Sequence, residues 1–227
     1  MPIVDFDRLL KYINTLIVIA LAAALSLVYW YGYRPLPKTS GTVETYVSRN
    51  ATVTRDGLGT PHIAADSLED LLFAQGYATA QDRLWQMDSL RRLAGGELAE
   101  IVGRNAIDSD REARTLRMRH FAEEAARGMP TGDRAAMAAY TRGVNAFIET
   151  HRDKLPVEFT MLGYQPRPWT VVDCALIGFQ MFRTLTTSWR DDLLKRNMLN
   201  SGDAAKVSFL FPPRTGREAL SAACPGA

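Results

Sequence analysis

Chemistry in a chain of 227 residues needs nucleophiles, bases or metal ligands at workable spacing, and this sequence offers few. His62, His120 and His151 fall on three separate segments, so no pair faces one helix as a metal site would require. They read as one packed strand residue and two solvated helix residues. Cys174 and Cys224 are too few for a disulfide scaffold or a zinc finger. Cys174 lies in an apolar helical run and reads as an inert core thiol, whereas Cys224 lies in an irregular tail. A Gly-Xaa-Ser-Xaa-Gly elbow, a Walker A loop and a dinucleotide glycine fingerprint are all absent. No self-contained catalytic set is expected, nor an organic cofactor. Lys plus Arg number 27 and Asp plus Glu 25, a net charge of +2 with no basic stripe, so nucleic acid is not an expected partner.

The densest polar information runs from Gln75 to Asp88. On a helix Asp82 would meet Gln86, Gln81 would meet Trp85, and Asp88 would meet Arg91 and Arg92. Amides and ion pairs interleaved with Trp85 and Met87 suit a helix buried on more than one side, whose polar groups need specific partners. A solvated charged helix has the same spacing.

Elements to position these residues can be read locally. Ala51 to Arg55 alternates around Val53, Asp56-Gly57-Leu58-Gly59 signals a turn, and Pro61 to Ala65 resumes an extended stretch, which predicts a hairpin. Ser67 and Asp70 form a capping box for a helix to about Ala94, with Leu68, Leu71, Leu72, Ala78, Leu84, Trp85 and Met87 inward and Gly95-Gly96 as its stop. Gly76 weakens its middle by about 1 kcal/mol relative to Ala. Glu97 to Val102 reads as a short turn. Asp108 to Arg127 reads as one amphipathic helix burying Leu116, Phe121 and Ala125, and Asp133 to His151 as another burying Met137, Tyr140, Val144, Phe147 and Ile148. An irregular turn is predicted from Pro156 through Pro168. Thr170 and Asp173 cap an apolar helix from Cys174 to about Leu185, and Ser188 with Asp191 starts another that ends at Gly202. No element is predicted beyond Phe211. A two-stranded hairpin is marginal alone, so it is expected to join a larger sheet that this chain does not supply.

The 22 residues Tyr12 to Tyr33 carry no charge, with tyrosines and Trp30 at the ends. Their length matches the hydrocarbon core of a bilayer, and aromatic rings favour its interfaces. The expected organisation is a short tail at 1–11, a transmembrane signal-anchor at 12–33, a linker at 34–50 and a soluble region at 51–227. A cleaved signal peptide is the competing reading of the apolar run. Positive-inside counting is a tie, because Arg8 and Lys11 precede the span and Arg34 and Lys38 follow it.

The motifs Val53-Thr54-Arg55-Asp56, Gly59-Thr60-Pro61-His62-Ile63-Ala64-Ala65 and Gly76-Tyr77-Ala78-Thr79-Ala80-Gln81-Asp82-Arg83-Leu84-Trp85-Gln86-Met87 carry a resemblance. Arg91-Arg92, Gly95-Gly96-Glu97-Leu98-Ala99-Glu100-Ile101-Val102-Gly103, Pro156-Val157-Glu158-Phe159 and Pro168-Trp169-Thr170 follow in the same order. Over about residues 51 to 200 the chain resembles the N-terminal, α-subunit part of the penicillin acylase (penicillin amidase) family. The resemblance implies an α+β fold, mostly helical in this portion, as the α-subunit part of an N-terminal-nucleophile hydrolase αββα sandwich. It also implies a precursor that cuts itself into α and β subunits. The new N-terminal Ser of β then attacks a linear amide, with its own α-amino group as base, and β groups hold the oxyanion.

The family's nucleophile follows a Gly, and no Gly-Ser pair occurs in these 227 residues. The resemblance therefore places the nucleophile, the oxyanion donors and most of the sheet beyond Ala227, with no catalytic residue in this chain. The chain is expected to be an α-like fragment of a longer reading frame or a separately made subunit, and Met1 with the apolar span favours the former. By resemblance, Met181, Arg183 and Thr184 bind the acyl part of the substrate. Asp192 is the position matching an α carboxylate that joins β ligands at a structural calcium. The family usually has Glu there, one methylene longer, and calcium wants six to eight oxygens, so Asp192 cannot make the site alone. The implied partners are a β subunit, an acyl-amide small molecule and, through residues 12–33, a membrane with the soluble part outside the cytoplasm. An acyl-homoserine lactone acylase of the same fold is the first alternative. A non-catalytic, membrane-anchored helical interaction protein is the second.

Overall fold

The structure is a computed structural model that describes residues 6–36, 40–45, 47–186, 188–202 and 204–211. It divides into two compact units, residues 1–179 and residues 180–227.

The first unit opens with α1 (Phe6–Leu27), which continues without a break into a wider π-helical segment, Val28–Tyr33. The helix thus starts before the uncharged run, and none of its apolar window is buried. Strands β1 (Ala51–Arg55) and β2 (Pro61–Ala65) pair antiparallel with Val53 opposite Ile63, at the bounds that the alternation and the turn residues predict. They form the one sheet among the described residues. Asp56 builds the turn, accepting from the backbone N–H groups of Leu58 and Thr60.

Helix α2 (Leu68–Gly95) is the spine of this unit. Ser67 caps it, accepting from the Asp70 N–H at 3.0 Å. Asp70 reaches back, but to the Ser67 hydroxyl and to Ser48 rather than to the Ser67 N–H. These bonds from Ser48 and Ser67 hold the buried Asp70 carboxyl down to about 2. Gly96, at φ 71°, ends the helix as its spacing predicts.

Then come α3 (Ala99–Val102), a 3₁₀ turn (Gly103–Ala106), α4 (Ile107–Thr115), α5 (Met118–Gly128), α6 (Thr131–Thr150), α7 (Val157–Leu162) and α8 (Val171–Leu185). Two expectations are corrected here. The single helix over 108–127 is two helices, broken where Arg117 adopts a left-handed φ of 53°. That break resets the helical phase, so Met118, Ala122 and Ala126 are buried while Leu116 and Phe121 are about half exposed and Ala125 is exposed. The irregular turn after Pro156 holds α7, which a Pro just before its first residue and Gly163 after its last delimit.

Two cores result. One joins Leu84 and Met87 of α2, Val144, Phe147 and Ile148 of α6, and Phe159 and Trp169. The other joins Ala94, Ala113, Met118, Ala122 and Leu176. In the first, α2 and α6 cross at backbone contact. A Cβ added at Gly76 would sit 2.0 Å from the Tyr140 carbonyl oxygen, and one at Gly143 would sit 1.9 Å from that of Phe73. Gly76 therefore weakens the helix locally and permits the packing that stabilises it. Leu68, expected inward, is 68% exposed.

The second unit holds the end of α8 from Gln180, α9 (Ser188–Ser201) and α10 (Ala204–Leu210), the last of which the sequence reading did not anticipate. Val207 is buried, whereas Phe182, Leu185 and Phe209 are largely exposed. The Ser188 side chain of the expected third cap, Lys38 and Cys224 lie outside the described residues.

Candidate functional site

The C-terminal part of α2 holds buried, ordered charge at Asp88, Arg91 and Arg92, whereas Gln75, Asp82, Arg83 and Gln86 are exposed, so the polar stretch is packed at its end and solvated along the rest. Asp88 and Arg91 are both fully buried. Each Asp88 oxygen accepts two bonds. Oδ1 takes the Arg91 Nε–H at 2.8 Å and an Nη2–H, and Oδ2 takes the Arg92 Nε–H at 2.9 Å and the Tyr164 hydroxyl at 2.7 Å. Burial pushes the Asp88 carboxyl up, but the Arg91 charge and the bonds from Tyr164, Arg92 and Arg91 outweigh it and hold the group below its ordinary value. Burial and the facing Asp88 carboxylate push the Tyr164 hydroxyl up.

Arg91 also donates to the carbonyls of Arg167 (2.8 Å) and Pro168 (3.2 Å) and to Asp173 Oδ2 (3.4 Å), so all five of its N–H groups are used. Its guanidinium lies 4.9 Å from the Trp169 ring centroid. Asp173 completes the expected capping box at the start of α8, accepting from the Thr170 N–H and hydroxyl. Asn145 of α6 clamps the same segment from the other side, accepting from the Trp169 N–H and donating to its carbonyl. Glu97 extends the network by pairing with Arg119 and Arg167.

Arg55 ties the hairpin to α2. Arg55 of β1 donates to both Asp82 oxygens, at 2.7 and 2.9 Å, and to Gln81 Oε1 at 2.8 Å. The next residue, Arg83, leaves helical geometry at φ −141° and ψ 22°, so the helix is kinked where the hairpin holds it. Consequently Asp82 and Gln81 turn to Arg55, and it is Arg83 that bonds Gln86. A cleft of 990 Å³ opens between hairpin and kink, with Arg55, Gln75, Asp82, Trp85, Gln86 and Glu158 on its walls. Thr60 and Thr79 also line it, the Thr79 hydroxyl donating to the Gln75 carbonyl, and the wall set can bind and orient polar groups.

His62 is corrected from a packed residue to an exposed one, 3.2 Å from Asp56, because its strand face is open. His120 lies near Glu124 and is partly exposed, as expected. His151, expected to be solvated, instead stacks on Phe147 with centroids 4.1 Å apart and meets the Tyr77 edge. Burial pushes the Cys174 thiol up, and the Trp169 Nε1–H donates to its sulfur, so it is the inert thiol its apolar run suggests. In the second unit Met181 and Thr184 are exposed on the last turns of α8, Arg183 is half-buried, and Asp192 is exposed just past the first turn of α9, which holds Asp191. Thr184 donates back to the Gln180 carbonyl at 2.9 Å. Among the described residues no three His, Cys, Asp or Glu side chains gather as a metal site.

The sequence profile of the penicillin amidase family matches residues 50–223, and the chain belongs to that family. It is 36% identical over 178 residues to acyl-homoserine lactone acylase QuiP of Pseudomonas aeruginosa, covering 78% of this chain and 21% of that protein. It is 31% identical over 176 residues to penicillin G acylase of Escherichia coli, covering 74% and 19%. In structure it resembles a thermostable penicillin G acylase from Alcaligenes faecalis, with a TM-score of 0.60 and 27% identity over 78% of this chain and 92% of that one. The chain thus spans about a fifth of the length of these two curated relatives.

Proposed function

We propose that the chain is the α-subunit-like part of an amidase that hydrolyses linear acyl amides, with its nucleophile supplied by a β partner. The carrying observation is the family match across residues 50–223. The chemistry of the chain agrees: Cys174, the one described thiol, is protected, and Asp88, Arg91 and Arg92 of α2 are buried and bonded to one another. In this reading an N-terminal Ser of β attacks the amide carbonyl and its own amine takes the proton. This chain supplies the rigid frame of α2, α6 and α8, and Met181, Arg183 and Thr184 contact the acyl group. Exposed Phe182, Leu185 and Phe209 suit a partner subunit. The apolar α1 anchors the protein with its soluble part outside the cytoplasm.

Asp192 offers a single carboxylate where calcium needs six to eight oxygens, so the described residues do not by themselves fit that ion.

The naming of the QuiP relative supports a second reading of the substrate, an acyl-homoserine lactone. The whole processed protein, given penicillin G and an acyl-homoserine lactone in parallel, separates the two by which amide it cleaves. The 227-residue chain alone, given a chromogenic amide, is expected to show no turnover. Turnover by that chain overturns the placement of the nucleophile.

A further inference from the structure

The end of the apolar helix is joined to the soluble body in a way that family membership does not explain. Asp7 to Tyr33 spans 27 residues, or about 40 Å at a helical rise, and none of its apolar window is buried by protein. Its last turns carry Tyr29, Trp30, Tyr31 and Tyr33, rings suited to a membrane interface. In the π-helical segment the Arg34 N–H bonds the Tyr29 carbonyl, five residues back. The Arg34 guanidinium then lies 4.4 Å from the Trp30 ring centroid and grips the loop between α6 and α7, 119 residues away. It donates to the Asp153 carbonyl at 2.8 Å and to Asp153 Oδ2 at 2.9 Å.

That clasp fixes the depth of the loop. Residues 151–156 are brought to the level of the aromatic rings, where the headgroups of a bilayer would lie. Asp153 is the only acid in the loop and faces Arg34, which leaves the exposed Arg152 and the half-buried Lys154 as its other charges. A cleft of 950 Å³ opens at this place, with Leu27, Trp30, Phe159, Arg34, Arg152 and Lys154 on its walls. Its apolar wall continues the surface of α1, while its rim is cationic. An acyl chain lying along α1 and a phosphate at the rim match that polarity. Basic side chains near an anionic bilayer are attracted to it.

We propose that the α6–α7 loop is a membrane-surface contact, seated in the headgroup layer by the Arg34–Asp153 clasp, and that its cleft receives the phosphate of an anionic phospholipid. This rests on the anchor reading of α1 and adds to it a fixed posture and a lipid preference.

The test uses the full chain in lipid nanodiscs of phosphatidylcholine, with and without phosphatidylglycerol. A nitroxide is attached at Thr160→Cys, beside the cleft, with Cys174→Ala and Cys224→Ser removing the native thiols. Collision with water-soluble and lipid-soluble relaxation agents reads the depth of the label. The expected result is headgroup depth when phosphatidylglycerol is present. Arg34→Ala, or Arg34→Glu as the second variant, moves the label into water. Arg152→Gln with Lys154→Gln removes the dependence on phosphatidylglycerol. A chain retained by the discs but carrying an aqueous label in both lipids overturns the proposal and leaves the anchor standing. Headgroup depth that ignores both phosphatidylglycerol and the double Gln variant overturns the phosphate site. Headgroup depth that survives loss of the clasp overturns its positioning role. A chain that carbonate strips from the discs overturns the anchor reading itself.

Discussion

Replacing Asp88 by Asn keeps the shape of the central side chain and removes its charge. Asn offers one acceptor oxygen where four donors converge, and its amide group would point N–H at N–H. Arg91 is 0% exposed and Arg92 7%, so water cannot replace the lost partner without opening the core. Breaking a buried pair from one side costs about 3–5 kcal/mol. For a chain of this size each kcal/mol moves the melting temperature by about 2–4 °C, so the expected drop is about 6–20 °C. Thermal unfolding of the detergent-solubilised chain, followed by circular dichroism, reads it. The double variant Asp88→Leu with Arg91→Met removes that ion pair but leaves Arg92 and the Tyr164 hydroxyl facing an apolar side chain, so it is expected to recover only part of the loss. A drop below about 2 °C for Asp88→Asn would refute the argument, since it would mean less than about 1 kcal/mol rides on the network.

Three further outcomes are expected. Gly143→Ala forces α2 and α6 apart at the Phe73 carbonyl and destabilises the chain by about 1–3 kcal/mol, measurable as a lower urea midpoint. Asp82→Ala releases Arg55, so the Val53 and Ile63 amides exchange faster while the α6 amides do not; the partly exposed pair contributes about 1 kcal/mol at most. The Asp70 carboxyl is depressed to about 2, so the stability it lends is complete above the unfolded value near pH 4 and is lost as pH falls toward 2. Asp88, also depressed, acts in the same direction. A urea midpoint that stays flat from pH 5 to pH 2 contradicts both.

What could be read from the sequence was local. The hairpin register followed from strand alternation around an Asp-Gly turn, and the Thr170–Asp173 box followed from a three-residue spacing. The Asp88–Arg91–Arg92 cluster was legible for the same reason, because all three sit on adjacent turns. Their partners were not. Tyr164 reaches Asp88 across 76 positions, Arg55 reaches Asp82 across 27, and Asn145 reaches Trp169 across 24, distances at which no periodicity carries information. The split of 108–127 escaped because Arg117 is in a left-handed conformation that non-glycine residues seldom announce. Phe121 and Leu116 were then assigned inward by a helical phase that the break cancels. Polar residues near Asp88 could have pointed to Tyr164, since a buried acid beside two arginines still needs its remaining lone pair satisfied.

The five-fold use of Arg91 also sets a timetable for synthesis. Its last acceptor, Asp173, is made 82 residues later. At about 5–20 residues per second, this guanidinium stays wet for roughly 4–16 s while the ribosome completes the segment that will enclose it. The spine of the protein can coil early, yet it cannot shed its water until translation has passed the Pro-Trp-Thr stretch. A ribosome paused before that point would therefore hold a nascent chain whose longest soluble helix is formed but still unsealed.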